Sequence, residues 1–237
     1  MKFLRTTLLF LTLAATASAE RTFHTPDQDK KNIAASSEQR EGLPNVLILG
    51  DSISIGYTRP VIKLLKGEAN VSRAKANCGD TEMGLENLDK WLGDTRWDVI
   101  HFNWGLWDLC YRHPDSKVQG NRDKVNGTLS VPLPRYEQNL EKLVTRLEKT
   151  GATLIWASTT VVPENEAGRF TGDELKYNAT AAKVMKNHGV TINDLHTLSA
   201  GFKGGYSQPG NVHYSQQGSA LLAARVAQTI KAALPDR

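Results

Sequence analysis

Residues 45–54 read Asn45-Val46-Leu47-Ile48-Leu49-Gly50-Asp51-Ser52-Ile53-Ser54. The opening run is short, apolar and rich in branched side chains, and Gly50 ends it. That is the pattern of a strand buried on both faces of a parallel sheet. A serine placed where such a strand ends stands exposed at the sheet edge. Beside it, the N–H groups of a helix start can hold a developing oxyanion. Taken alone, the same five residues from Gly50 to Ser54 read equally well as a Ser/Asp turn capping a helix.

Outward from this stretch the chain alternates between two periods. Pro60 suits the first turn of a helix reaching about Gly67. Residues 71–76 alternate as a second strand, 83–92 form a helix, and 97–104 read as a third strand. A polar stretch, about 109–132, precedes Tyr136, Leu140, Leu143, Val144 and Leu147, which recur at helical spacing up to a stop at Gly151. Residues 152–158 form a fourth strand, 173–188 a helix, 190–193 a short fifth strand, and about 215–233 the last helix. Five strands alternating with helices predict an α/β fold with a parallel sheet covered on both faces. Ligands of such sheets bind beyond the carboxyl ends of the strands. The two long connections, 109–132 and 196–213, are therefore expected to wall a substrate cleft.

The 237-residue chain opens with Lys2 and Arg5, an apolar core from Leu8 to Leu13, and Ala17-Ser18-Ala19. These three features predict a signal peptide over 1–19 and a secreted or periplasmic protein, with no integral membrane segment in the mature form. Residues 20–43 read as a flexible polar leader, and 44–237 as one domain. Removal of 1–19 lowers Lys+Arg from 29 to 27 against 25 Asp+Glu, leaving about +2. So balanced a charge argues against a nucleic-acid partner. Two cysteines, Cys78 and Cys110, cannot build a disulfide framework or a four-ligand zinc site. The six histidines show no metal spacing, and no cofactor is indicated.

Ser52 needs a base. His213, in Gly210-Asn211-Val212-His213-Tyr214, precedes the last helix and so opens at the same sheet edge. Four blocks together resemble the SGNH (GDSL) hydrolases over about residues 45–233. These are Gly50-Asp51-Ser52, then Cys78-Gly79-Asp80-Thr81, then Gly105-Leu106-Trp107-Asp108, then Gly210-Asn211-Val212-His213. The resemblance implies a three-layer α/β/α, flavodoxin-like five-stranded parallel sheet and a serine esterase working through an acyl-enzyme. Ser52 would be its nucleophile and His213 its base, with the Ser52 and Gly79 N–H groups binding the oxyanion.

Two positions depart from the family pattern. Trp107 stands where the family has an oxyanion-donating asparagine, so the third donor is either Trp107 or Asn103. Gly210 stands where the family has the triad aspartate. Asn211, a backbone carbonyl or Asp194 is then left to orient His213. Trp104 and Tyr214 are expected to bind substrate, a small-molecule or glycan ester. Asp51 and Asp108 are expected to shape loops through backbone hydrogen bonds, and His101 to be a satisfied core histidine. Cys78 and Cys110, just after strands two and three, are expected to form a disulfide pinning the Gly79 loop. Removal of acetyl groups from carbohydrate is a narrower reading of the same site. A non-catalytic glycan-binding protein on an esterase scaffold is the alternative from another class.

Overall fold

The computed structural model describes residues 35–236 except 203, 204 and 207. The expected signal peptide lies outside the described residues. Five strands form one sheet: β1 (Asn45–Leu49), β2 (Asn70–Arg73), β3 (Val99–Phe102), β6 (Thr153–Ala157) and β7 (Thr191–Asn193). Their order is β2-β1-β3-β6-β7 and every pairing is parallel. Val46 to Leu49 and Val99 to Phe102 are all buried, as central strands covered on both faces require.

Among the described residues six α-helices accompany the sheet: α1 (Ser52–Leu64), α2 (Thr81–Leu92), α3 (Leu133–Glu148), α4 (Asp173–Asn187), α5 (Leu195–Ala200) and α6 (Gln216–Ala232). Helices α1 and α6 pack on each other, while α2 packs on α3 and α3 on α4. The expected stripe of α3, from Tyr136 to Leu147, is buried. This is the three-layer, five-stranded parallel arrangement that the alternation predicts.

Local chemistry moves several boundaries. Helix α1 starts at Ser52 rather than at Pro60, because the Asp51 carboxylate accepts the Ile53 N–H at 2.9 Å and caps the helix there. Pro60 consequently lies inside the helix and forfeits one intrahelical bond. The 109–132 connection contains a small antiparallel pair, β4 (Tyr111–Arg112) with β5 (Thr128–Leu129). The described part of the expected flexible leader, 35–43, is docked. Ala35 is buried, Ser37 N–H donates to Val71 O at 2.7 Å, and Arg73 N–H donates to Ala35 O at 3.1 Å. This segment covers the open edge of β2, whose unpaired backbone groups need partners. Among the described residues no helix is long and apolar enough to cross a membrane.

Candidate active site

The turn after β1 and the loop before α6 meet at the carboxyl edge of the sheet. His213 Nε2 lies 2.7 Å from Ser52 Oγ, across 161 residues of chain. Asn211 Oδ1 accepts both the His213 backbone N–H, at 3.0 Å, and His213 Nδ1, at 2.7 Å. Since a backbone amide can only donate, it is the Asn211 oxygen that faces the ring, and Nδ1 carries the proton. Nε2 is then the acceptor for the Ser52 hydroxyl. Asp194 is occupied elsewhere: it caps α5 through Thr197 N–H and accepts the Ser158 hydroxyl, both at 3.0 Å. His196 faces Glu174 at 3.6 Å, and His113 Nδ1 accepts the Asp115 N–H at 3.3 Å.

Ser52 is the first residue of α1, so its own N–H points outward from the helix start. Gly79 follows β2 with φ +56°, a left-handed conformation that favours glycine, and a Cβ there would lie 2.3 Å from Met83 Sδ. Its N–H donates to Asn77 Oδ1 at 3.1 Å. The two segments are stitched together by Cys78 N–H donating to Gly50 O at 3.1 Å.

Asn103, one of the two expected third donors, is committed. Its amide donates to Ala157 O at 2.7 Å and to Thr159 Oγ1 at 3.3 Å, tying β3 to the end of β6. Trp107 remains in the loop beyond β3, half-buried, with the Arg112 guanidinium 4.6 Å over its ring. The two expected substrate-stacking aromatics are both turned inward. Trp104 is fully buried and its indole N–H donates to Cys78 O at 3.2 Å. Tyr214 stacks on Tyr206 at 5.1 Å and meets Phe202 edge-on at 5.7 Å. Its hydroxyl is buried beside Thr160 and Ser199, and burial raises its pKa. Both rings fill space behind the rim, because each has an apolar layer to cover and a polar tip to satisfy.

The expected disulfide is not formed: Cys78 and Cys110 are free, buried thiols. Cys78 Sγ faces Ala76 O at 4.0 Å, whereas Cys110 Sγ faces its neighbour's carbonyl, Tyr111 O, at 3.5 Å and packs against Gly168. Burial pushes the Cys78 thiol up to about 11. Asp108 shapes its loop as expected, accepting the Thr81 N–H at 2.9 Å and the Thr81 hydroxyl at 2.6 Å. Burial raises its carboxyl well above the ordinary range. His101 is a core residue with Asn193 Nδ2 3.1 Å from its Nε2, and burial lowers its pKa to about 3, so it is neutral.

Sequence reading missed Arg73 and Arg169. Arg73 is 3% exposed and donates to the Gly50, Asp51, Ala74 and Ala76 carbonyls and to the Ser54 hydroxyl. Arg169, equally buried, donates to Leu106 O at 2.6 Å and pairs with Glu166, which also holds Arg122. The only visible signal for Arg73 was a charge amid the short residues of a strand end, Val71-Ser72-Arg73-Ala74. A groove of about 450 Å³ between residues 35–43 and the end of α1 is lined by none of the Ser52, Asn211 or His213 side chains. Among the described residues no three His, Cys, Asp or Glu side chains are grouped to hold a metal ion.

In sequence, no family model and no curated protein matches the chain. In structure, it is similar to a lipase/acylhydrolase from Enterococcus faecalis, with 20% identity and a TM-score of 0.64 over 82% of this chain and 99% of that one. It is similar to an acetylxylan esterase from Geobacillus stearothermophilus, with 16% identity and a TM-score of 0.61 over 79% and 94% of the two chains. It is also similar to a GDSL-like lipase from Bacteroides thetaiotaomicron, with 14% identity and a TM-score of 0.60 over 84% and 93%. With its parallel five-stranded sheet and its site at the carboxyl edge, the chain has the fold of the SGNH/GDSL hydrolases.

Proposed function

We propose that this chain is an exported serine ester hydrolase whose catalytic residues are Ser52, His213 and Asn211. The observation that carries the reading is the unbroken relay Asn211 Oδ1–His213–Ser52 Oγ, with both links at 2.7 Å. As Ser52 Oγ bonds to an ester carbonyl carbon, its proton passes to His213 Nε2. Asn211 Oδ1 accepts the Nδ1–H and keeps the ring in the tautomer that can take this proton. The carbonyl oxygen, now an oxyanion, is bound by the Ser52 and Gly79 N–H groups, taking the place of Asn77 Oδ1 at the latter. Collapse breaks the bond to the alcohol oxygen, which leaves with the proton from His213. A water then repeats the sequence on the acyl-enzyme and releases the acid. Asn211 is neutral, so it stabilises the imidazolium less than a carboxylate would.

Two similar structures are described as acetylxylan esterases, which favours acetylated carbohydrate as the ester. The stacking platform for a sugar is then Trp107 on the rim rather than Trp104 or Tyr214. The test is a panel of short acyl esters and acetylated glycans, run on wild type and Ser52→Ala. Acetate release from glycan that vanishes in Ser52→Ala supports the narrower reading. Hydrolysis of simple esters without glycan deacetylation keeps only the broader one. Tight glycan binding with no turnover of any ester replaces both with a binding protein. Export is tested by the N-terminus of the protein recovered outside the cytoplasm, expected at Glu20.

A further inference from the structure

We propose that Arg73 and Trp104 are positioning residues that aim the two backbone N–H groups of the oxyanion site by gripping, from behind, the carbonyls of the same peptide units. The inference rests on the ester-hydrolase reading and goes beyond it by assigning work to two side chains that lie away from the substrate.

A trans peptide unit is planar, and its C=O and N–H point in opposite directions. Whatever holds the carbonyl therefore sets the direction of the amide. The Ser52 N–H belongs to the peptide unit whose carbonyl is Asp51 O. Arg73 Nη2 donates to that oxygen at 3.2 Å and to Gly50 O at 2.6 Å, while the Ser54 hydroxyl donates to Asp51 O at 2.7 Å. Arg73 Nη2 and Nε in turn donate to Ser54 Oγ at 3.0 and 3.2 Å, so the fork grips the turn both directly and through Ser54. The Gly79 N–H belongs to the unit whose carbonyl is Cys78 O. Trp104 Nε1–H donates to that oxygen at 3.2 Å.

The two grips are joined. Arg73 Nη1 holds Ala74 O at 2.8 Å and Ala76 O at 2.6 Å, the stretch leading into Gly79, so one rigid guanidinium spans both segments. Both side chains are almost wholly buried, at 3% and 0% exposure, so neither gains from water what these carbonyls supply. Hydrogen bonds accepted by a carbonyl also polarise its amide and strengthen the bond the N–H donates. The positive guanidinium behind the Ser52 turn adds a fixed field of the sign that a developing oxyanion needs.

The experiment uses the whole exported protein and two variants. Trp104→Phe keeps the ring and removes the N–H; Arg73→Lys keeps the charge and removes the fork. Each is measured for thermal midpoint, for kcat and KM on the best ester of the panel, and for inhibition by phenylboronic acid, which becomes tetrahedral on a serine oxygen. The expected result is a folded variant with kcat lowered by about tenfold or more and KM within about threefold. The boronic acid weakens by a similar factor, because the loss falls on the tetrahedral state. A purely structural role would lower the thermal midpoint and leave kcat and boronic acid affinity at wild-type values, and that result in Trp104→Phe overturns the proposal for both residues. Failure of both variants to fold assigns the two residues to stability alone and overturns it as well. Wild type that neither hydrolyses esters nor binds the boronic acid removes the ester-hydrolase reading, and this inference with it. An active wild type with unaffected variants removes only this inference.

Discussion

Asn211 accepts two hydrogen bonds through one oxygen, from the His213 backbone and from its ring. That double use makes its identity testable. Asn211→Ala frees the ring to choose the wrong tautomer, and kcat should fall by on the order of 10²-fold with little change in thermal midpoint. Asn211→Asp supplies a carboxylate in the same place and should retain or raise kcat; a loss as large as that of the alanine variant would contradict the orienting role. Gly79→Ala should cost kcat about 10²–10³-fold, because φ +56° is a conformation alanine rarely adopts and relaxing it turns the amide away. Sequence pointed to Ser52, Asn211 and His213 because each is a polar or reactive residue beside a strand end, and the structure brings these three side chains within hydrogen-bond reach. Trp104 and Tyr214 were misread for the same reason: aromatics near a rim can face either way, and only the buried acceptor at Cys78 O and the stack on Tyr206 turn them inward. Arg73 was illegible because it is held mainly by backbone carbonyls, which leave no mark in a sequence.

At the scale of elements, periodicity located all five strands of the sheet and the buried stripe of α3. Boundaries failed where a single capping bond decided them. Asp51 pulls the start of α1 back to Ser52, and this is what places that serine on a helix rather than ahead of one. Helix α1 then runs close to α6: a Cβ at Gly56 would lie 3.2 Å from Ser219 Oγ. The short β4–β5 pair and the docking of 35–43 were illegible because each depends on backbone partners remote in sequence. Loss of residues through 43 should uncover the β2 edge, lowering the thermal midpoint and promoting aggregation measurable by light scattering. An unchanged midpoint would mean that the segment adds nothing to the sheet.

Across the whole molecule, two buried titratable groups set opposing responses to pH. Burial lowers the His101 pKa from 6.5 to about 3, so the unfolded chain takes up this proton first as pH falls. Its contribution to stability is complete above pH 6.5 and is lost as pH falls towards 3. Burial raises Asp108 above its ordinary 3.8, so its contribution is present at low pH and is lost as pH rises through the folded pKa. His101→Gln should flatten the acid-side slope below pH 6.5, by at most about 1.4 kcal/mol per pH unit, in urea titrations at several pH values. The fold brings the hydroxyl at the start of α1 and the imidazole from the last connection together at one edge of the sheet. Fluorophosphonate labelling followed by peptide mass spectrometry tests this most directly. The modification should fall on Ser52, and labelling should be lost in Ser52→Ala and strongly slowed in His213→Ala. Stoichiometric labelling of another residue, or undiminished labelling of Ser52→Ala, would contradict the account.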